Sequence, residues 1–224
     1  MRPLLTAWSV LVGVTLLSSG LLCGGPARAG EAQARGFYAT VGLGATGPLP
    51  QQGSDPNSGY NFTDNYTAGF SGEVGVGYDF GPMRTELTYS YENSQLSYYT
   101  DPSGTYGYQG GQQSTNSVLV SAYWDIDTHS RWTPYLGGGL GYGWQNQANS
   151  QDAFASYNGY GVSGLAWQAK AGLGYALTRQ ADLFAEFVYR GIGGFAAEDG
   201  IATYNYSSLN RLGFQLGGRW RFGN

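Results

Sequence analysis

Eight short runs in this sequence alternate between apolar and polar side chains, and this two-residue period is the strongest constraint on the fold. Successive side chains of a β-strand point to opposite faces, so each run would form a strand with one apolar face. The runs are 36–45, 70–80, 83–92, 117–126, 132–144, 165–177, 182–190 and 211–222. Because no segment beyond residue 29 holds the roughly 18 apolar residues that a membrane helix needs, the pattern predicts an all-β chain.

The connections between the runs alternate in length. Four are long and rich in Gly, Ser, Asn, Gln and Tyr, whereas three are tight turns. The long connections are 46–69, 93–116, 145–164 and 191–210, and the tight ones are 81–82, 127–131 and 178–181. Short turns at one end and long loops at the other are typical of a transmembrane β-barrel. We therefore predict an eight-stranded antiparallel up-and-down barrel with both termini at the short-turn end.

A soluble barrel of eight strands would alternate in the same way, but the identity of the side chains distinguishes the two. All five tryptophans beyond residue 29 fall on the apolar face, whereas the opposite face carries glycine and charged side chains. The interior of such a barrel is only just wide enough for side chains to fill it. The bulky rings are therefore expected to face lipid, several of them as an aromatic belt at the membrane interface. The predicted belt consists of Trp124, Trp132, Trp144, Trp167, Tyr175, Trp220 and Phe222.

The charged side chains of the polar face carry both signs and are expected to line the lumen. Asp79 and Arg84 flank the Gly81-Pro82 turn and should lie opposite each other. Two interpretations are open: a buried ion-pair network that plugs the lumen, or ordinary lumen polarity with water between the charges. The predicted lower set is Glu86, Glu186 and Arg219, and the predicted higher set is Glu73, Lys170 and Arg190.

The first 29 residues have the features of a cleavable signal peptide. Arg2 precedes a long apolar stretch, and residues 27–29 (Ala-Arg-Ala) provide the small-x-small pattern of a cleavage site. We therefore divide the chain into a signal peptide at 1–29 and a barrel domain at 30–224.

Cleavage at this position restricts the chemistry of the mature protein. Cys23 is the single cysteine, so neither a disulfide nor a thiolate metal site is expected after cleavage. Loss of Arg2 and Arg28 leaves 9 of the 11 basic side chains against 15 acidic ones, a net charge of −6. A chain this acidic is not expected to bind nucleic acid, and no cofactor is expected.

Four stretches of the sequence resemble the opacity-type, porin-like family of small eight-stranded outer-membrane β-barrels. They are GFYATVGLGA (36–45), GEVGVGYDFGPMRTELTYSYE (72–92), LVSAYWDIDTHSRWTPYLGGGLGYG (119–143) and LGFQLGGRWRF (212–222). The resemblance implies a Gram-negative outer membrane as the location, with periplasmic termini and extracellular long loops. It also implies membrane lipid and the barrel assembly machinery as partners. That machinery typically favours a terminal aromatic residue, whereas Gly223 and Asn224 follow Phe222 here.

The sequence offers little support for catalysis. His129 is the only histidine, and it stands next to Ser130 in a predicted short turn. Nucleophilic catalysis needs a base within hydrogen-bond reach of the hydroxyl, and adjacent side chains in a tight turn rarely meet this condition. We therefore predict that the protein is not an enzyme and has no metal site.

The long loops contain no Lys or Arg but many tyrosines, a composition that resembles the adaptable contact surface of antibody loops. The predicted contact residues are Tyr60, Tyr66, Tyr98, Tyr99, Tyr106, Tyr108, Tyr157, Tyr160, Tyr204 and Tyr206. The expected function is structural or surface interaction, as an adhesin or antigen, with an extracellular ligand at the loops. The alternative is a narrow channel for small or cationic solutes, since ten lumen glycines would leave space and acidic loops would attract cations.

Overall fold

The computed structural model describes residues 35–198 and 202–222, which form β-strands joined by turns and loops. The strands are β1 (Gly36–Pro48), β2 (Gln51–Ser54), β3 (Asn61–Thr67), β4 (Gly69–Asp79), β5 (Met83–Asp101), β6 (Gly104–Gly107), β7 (Gln109–Gly110), β8 (Gln112–Asp125), β9 (Trp132–Gln147), β10 (Ser150–Gln151), β11 (Ser156–Tyr157), β12 (Tyr160–Ala176), β13 (Ala181–Ile192), β14 (Phe195–Glu198), β15 (Thr203–Tyr206) and β16 (Leu209–Arg221). None of the described residues forms a helix long and apolar enough to cross a bilayer. The predicted signal peptide lies outside the described residues.

Eight of these strands close into a ring, which confirms the predicted barrel. The ring runs β1, β4, β5, β8, β9, β12, β13 and β16 in order, each strand antiparallel to the next. The register Tyr38↔Arg221 to Pro48↔Arg211 then joins the last strand to the first. Closure gives every backbone N–H and C=O in the wall a partner on a neighbouring strand, as hydrocarbon surroundings require.

Several strands are longer than the alternation of apolar residues predicts. β5 continues nine residues past the predicted end at residue 92, and β8 begins at Gln112. In these extensions polar residues stand on both faces of the strand, with Ser94 buried and Gln95 exposed. Backbone pairing of β5 with β3 and β8 holds the extensions in place. The remaining eight short strands lie in the four long connections. They pair within a connection, as β2 does with β3 and β14 with β15, or between connections, as β7 does with β10 and β2 with β15.

The apolar face of the ring points outward. Val120 and Leu140 have more than 60% of their surface exposed, although both lie in the middle of a strand. None of the five tryptophans lies in the lumen. Trp124, Trp132, Tyr175, Trp220 and Phe222 lie at the short-turn end, where Trp132 packs on Tyr175 with ring centroids 4.6 Å apart, whereas Trp144 and Trp167 lie higher on the wall.

Glycines of the inner face leave room for rings from adjacent strands. A Cβ atom at Gly137 would lie 2.1 Å from the ring of Tyr123, and one at Gly172 would lie 2.4 Å from the ring of Tyr135. Gly217 has the same relation to Phe184, at 2.3 Å. Four buried aromatic side chains therefore occupy the lumen, namely Tyr38, Tyr123, Tyr135 and Phe184. The sequence analysis placed glycine and charge there but not these rings.

This packing predicts different effects for two adjacent glycines. Gly137→Ala should lower the free energy of unfolding by about 1–3 kcal/mol, because the added methyl overpacks the Tyr123 ring. Gly138→Ala is the matched control, since a Cβ there faces outward and has its nearest neighbour at 3.6 Å. Urea unfolding followed by heat-modifiable gel migration measures both variants. An equal loss of unfolding free energy in the two variants would contradict the close packing of Tyr123 on Gly137.

Candidate functional site

The short-turn end of the lumen is organised around Arg84. Its guanidinium donates two hydrogen bonds to Asp125, at 2.5 and 2.9 Å. The rings of Tyr123 and Tyr135 lie 4.7 and 5.0 Å from its Cζ atom, close enough for cation–π attraction. The β4–β5 register does set Asp79 opposite Arg84. The ion-pair partner of Asp79 is nevertheless Arg221, at 3.0 Å.

A second ion-pair group lies beside it. Arg221 also contacts Asp182, at 2.7 Å, and Arg219 reaches the same carboxylate at 3.2 Å. Arg219 lies near the rings of Tyr38 and Phe184, at 5.4 and 5.9 Å. Charged and aromatic side chains therefore share this layer.

Higher in the lumen, a continuous chain of ion pairs connects opposite walls. Lys170 pairs with Glu73 and, at 2.9 Å, with Glu186. Arg190 pairs with Glu73 and, at 3.2 Å, with Glu92. The Lys170–Glu186 contact joins residues that the sequence analysis assigned to different depths. We call all these paired side chains, together with Arg84 and Glu86, the lumen network.

The lumen network differs in detail from the set considered in the sequence analysis. Glu86 accepts a hydrogen bond from the Tyr123 hydroxyl at 3.3 Å, and within the described residues it forms no ion pair with Arg219. Asp125, Asp182 and Glu92 are partners that the sequence analysis missed. Glu92 is in phase with Glu86 on β5, and Asp182 is in phase with Glu186 on β13, so the alternation within the predicted runs 83–92 and 182–190 already placed both on the inner face.

The packed network leaves little free volume in the lumen. One cavity lies among Glu73, Glu86 and Lys170, and another lies between Glu92 and Arg211; each measures about 10 Å³. A single water molecule occupies roughly that volume. The space expected from the lumen glycines is therefore taken up by rings and ion pairs.

Above the lumen, all four long connections converge on one aromatic cavity. We call it the aromatic cup; its volume is about 50 Å³. Seven of the ten predicted contact tyrosines line it, together with six other residues. The complete lining is Tyr60, Phe62, Asp64, Leu96, Tyr99, Tyr108, Gln147, Ser150, Tyr157, Asn158, Tyr160, Tyr204 and Tyr206.

The rings of the cup support one another in two groups. Phe62 packs edge-on against Tyr204 and Tyr206, at 5.4 and 5.9 Å, and Tyr206 stacks on Tyr160 at 5.9 Å. In the second group, Tyr108 contacts Tyr99 at 5.1 Å and Tyr157 at 6.0 Å. Edge-to-face and offset contacts at these distances are the favourable arrangements of aromatic pairs.

The other three predicted contact tyrosines lie outside the cup. Tyr66 is half-buried and donates a hydrogen bond to Gln51 Oε1 at 2.9 Å. Tyr106 packs between Tyr99 and Phe154, and Tyr98 is exposed on the outer surface.

Carboxylates hold several of the cup hydroxyls in place. Asp152 accepts hydrogen bonds from Tyr99 and Tyr157, both at 2.9 Å, and Asp101 accepts one from Tyr60 at 2.5 Å. The cup is therefore a fixed, hydrogen-bonded arrangement of rings.

Asp64 is the one cup carboxylate with almost no solvent exposure, at 3%. It accepts a hydrogen bond from the Tyr108 hydroxyl at 3.2 Å, and within the described residues no basic side chain pairs with it. Burial raises the pKa of Asp64 to about 7, although the Tyr108 hydrogen bond acts in the opposite direction. The sequence analysis did not single out Asp64 or Phe62. Both follow the two-residue alternation of Asn61–Thr67, which was assigned to a loop.

The predicted turn around His129 has no catalytic geometry. The His129 backbone N–H donates to Asp127, and the exposed ring lies 3.8 Å from the same carboxylate. Ser130 is hydrogen-bonded to Thr128 at 2.8 Å. Among residues 35–198 and 202–222, no group of three or more His, Cys, Asp or Glu side chains could hold a metal ion.

Comparisons with known proteins agree with this architecture. An outer membrane protein of Gluconacetobacter diazotrophicus is 27% identical over 220 residues; the match covers 90% of this chain and 57% of that protein. Neisserial surface protein A superposes with a TM-score of 0.54 and 20% identity, covering 86% of this chain and all of that one. A major outer membrane protein of Thermus thermophilus gives a TM-score of 0.53 and 13% identity, covering 84% and 100% of the two chains.

The profile of the family described as outer membrane protein beta-barrel domain matches residues 14–222. This match gives the outer membrane as the location, and the curated relative is likewise an outer membrane protein. Since barrels of this membrane have short periplasmic turns and longer extracellular loops, the short-turn end faces the periplasm and the aromatic cup faces the outside of the cell. Since the family match spans nearly all of the sequence, the chain belongs to the outer-membrane β-barrel family.

Proposed function

We propose that this protein is a non-enzymatic surface-binding barrel, in which a closed lumen anchors an extracellular recognition site. The observation that carries the proposal is the convergence of all four long connections on the aromatic cup. Tyrosine offers a large, rigid contact area at low entropic cost, which suits it to recognition surfaces. Hydrogen bonds from the cup tyrosines to Asp101 and Asp152 hold their rings in position before any partner arrives.

The filled lumen favours this function over the narrow channel. Hydrated solutes cannot pass cavities of about one water molecule without displacing the ion pairs around Lys170 and Arg190. Opening such a path would separate buried charges, which is strongly unfavourable. We therefore propose that the barrel anchors the protein in the membrane and that the four long connections bind the partner.

Planar-bilayer recording of the refolded protein tests the closed lumen. We expect no steady single-channel steps at neutral pH, because the lumen network and the rings fill the cross-section. A matched control is Tyr123→Ala combined with Tyr135→Ala, which removes two lumen rings and should increase the frequency of current steps. Steady, uniform steps from the unaltered protein would contradict the proposal and favour the channel.

A further inference from the structure

The aromatic cup contains a buried carboxylate, Asp64, and no basic side chain is among the residues that line the cup. Glu86 in the lumen also lacks an ion pair, but Arg84, Lys170 and Arg219 line the same cavity as Glu86. Glu73, Glu92 and Asp182 in the lumen each contact at least one Arg or Lys. Asp64 has only the neutral hydroxyl of Tyr108 as a hydrogen-bond donor in the described part of the chain. A buried carboxylate is costly unless a positive charge compensates it. The position is therefore suited to a cation from outside the protein.

The protein supplies no such cation from the loops themselves. The segments 46–69, 93–116, 145–164 and 192–208 contain no Lys or Arg. The titratable side chains that face Asp64 from β3 and the elements packed around it are all phenols. They are Tyr66, Tyr99, Tyr108 and Tyr206.

The walls around Asp64 have the chemistry that binds an organic cation. Aromatic faces attract a cation within about 6 Å of the ring centroid, and a group of such rings is the usual cage for a methylated ammonium. The cup volume of about 50 Å³ would hold about four water molecules. A nitrogen with three methyl substituents has the same number of heavy atoms.

We propose that the aromatic cup binds the head group of an alkylammonium ion, with Asp64 as its counter-charge and the surrounding tyrosine rings as its cage. This inference rests on the proposed surface-binding function and names its ligand class. A metal ion is a poorer match, because it prefers several carboxylate or carbonyl oxygens, whereas Asp64 is the one carboxylate among the residues that line the cup. Tyr60 at the rim is 38% exposed, so the cup is accessible from outside.

The raised pKa of Asp64 adds a specific consequence. Near neutral pH the free carboxylate is partly protonated, and an ammonium ion would favour its charged form. Affinity should therefore be full above pH 8 and fall about tenfold for each pH unit below 7. Between pH 8 and pH 5 the expected loss is about 100-fold.

The test uses choline as the probe and the refolded mature protein in detergent. Isothermal titration at pH 8 should give saturable binding, with the affinity about 100-fold weaker at pH 5. The neutral carbon isostere 3,3-dimethylbutan-1-ol has the same shape without the charge and should bind at least tenfold more weakly. Asp64→Asn should lose choline binding while keeping the heat-modifiable migration of a folded barrel.

Asp55→Asn is the matched control, since it removes one negative charge from the same loop at a half-buried position outside the cup. Equal loss in both variants would mean that the general field of the loops attracts choline, and would overturn the proposal. Equal affinity for choline and its neutral isostere would overturn it as well, as would no binding at millimolar choline. Conductance recorded on the same preparation distinguishes failure of the proposed function from failure of this inference. Steady current steps would contradict the closed lumen of the proposed function. If choline does not bind and no current steps are seen, only the proposed alkylammonium ligand is contradicted.

Discussion

Lys170→Met is expected to lower the free energy of unfolding by about 3–5 kcal/mol, the range observed when one partner of a buried ion pair is removed. The ammonium group of Lys170 lies between Glu73 and Glu186. Without it, Glu186 loses its basic partner, and Glu73 retains only Arg190 among the described residues. Methionine keeps the volume of the side chain, so the loss would come from charge and not from a cavity. Urea unfolding in lipid bilayers or detergent measures the change.

Two further variants distinguish a network from simple lumen polarity. Adding Glu73→Gln and Glu186→Gln to Lys170→Met should restore part of the stability, because the stranded carboxylates are then neutral. Thr40→Val is the control at a buried lumen position. Its hydroxyl has no partner among the described residues, so its loss should be nearly neutral or stabilising. Additive losses in the triple variant would show that the ion pairs are not coupled and that water screens them.

Asp64→Asn is expected to stabilise the loop region at high pH. The pKa of Asp64 is raised by burial from 3.8 to about 7 in the folded protein. Between these values the folded state retains a proton that the unfolded chain releases, so the contribution of Asp64 to stability falls as the pH rises. Above pH 7 the accumulated cost is about 4 kcal/mol, from about three pKa units at 1.36 kcal/mol each. Asparagine removes this cost and can still accept the Tyr108 hydrogen bond.

Hydrogen exchange of the β2 and β3 amides reports this effect locally. The Asp64→Asn variant should protect these amides more than the unaltered protein at pH 8, and the difference should vanish near pH 4. Asp55→Asn should show the opposite sign, because hydrogen bonds from Ser58 and Asn57 lower the pKa of that carboxyl. An unchanged protection difference across this pH range would contradict the raised pKa of Asp64.

The barrel itself was predictable because one face of its wall meets lipid and the other meets the polar lumen. The alternation of residues such as Val74, Val76 and Tyr78 with glycine and charge set the strand and the face that meets lipid. The eight strands follow as predicted, and closure explains why their number is even. The apolar pattern could not predict where the strands end on the extracellular side, because both faces of a strand can be polar outside the membrane.

For the lumen, the sequence predicted that charged side chains would be present but not which of them would pair. Charge on the inner face followed from alternation, but the pairing of Arg84 with Asp125 depends on how far each side chain reaches across the barrel. Neighbouring register alone would have favoured Asp79. The rings of Tyr38, Tyr123 and Tyr135 were missed because a bulky residue fits the lumen only when a glycine lies beside it on the next strand. That relation appears once the strands are paired.

For the aromatic cup, the sequence predicted loops rich in tyrosine but not that these tyrosines would enclose a cavity. Tyrosines in the loops could be counted, but their convergence required the hairpins of all four loops to stand side by side. Phe62, Asp64 and Tyr66 alternate as a strand does, as do Tyr204 and Tyr206. Short alternating polar runs of this kind indicate ordered loop strands.

The length of β5 has a consequence for how a partner arrives. Its 19 residues extend about 60 Å at about 3.4 Å per residue, whereas the apolar band of such barrels is only about 25 Å tall. Allowing for a tilt of about 40°, the tip of the strand stands about 20 Å above the lipid. Partners therefore reach the rim through water, and acyl chains of the outer leaflet end about two nanometres below it.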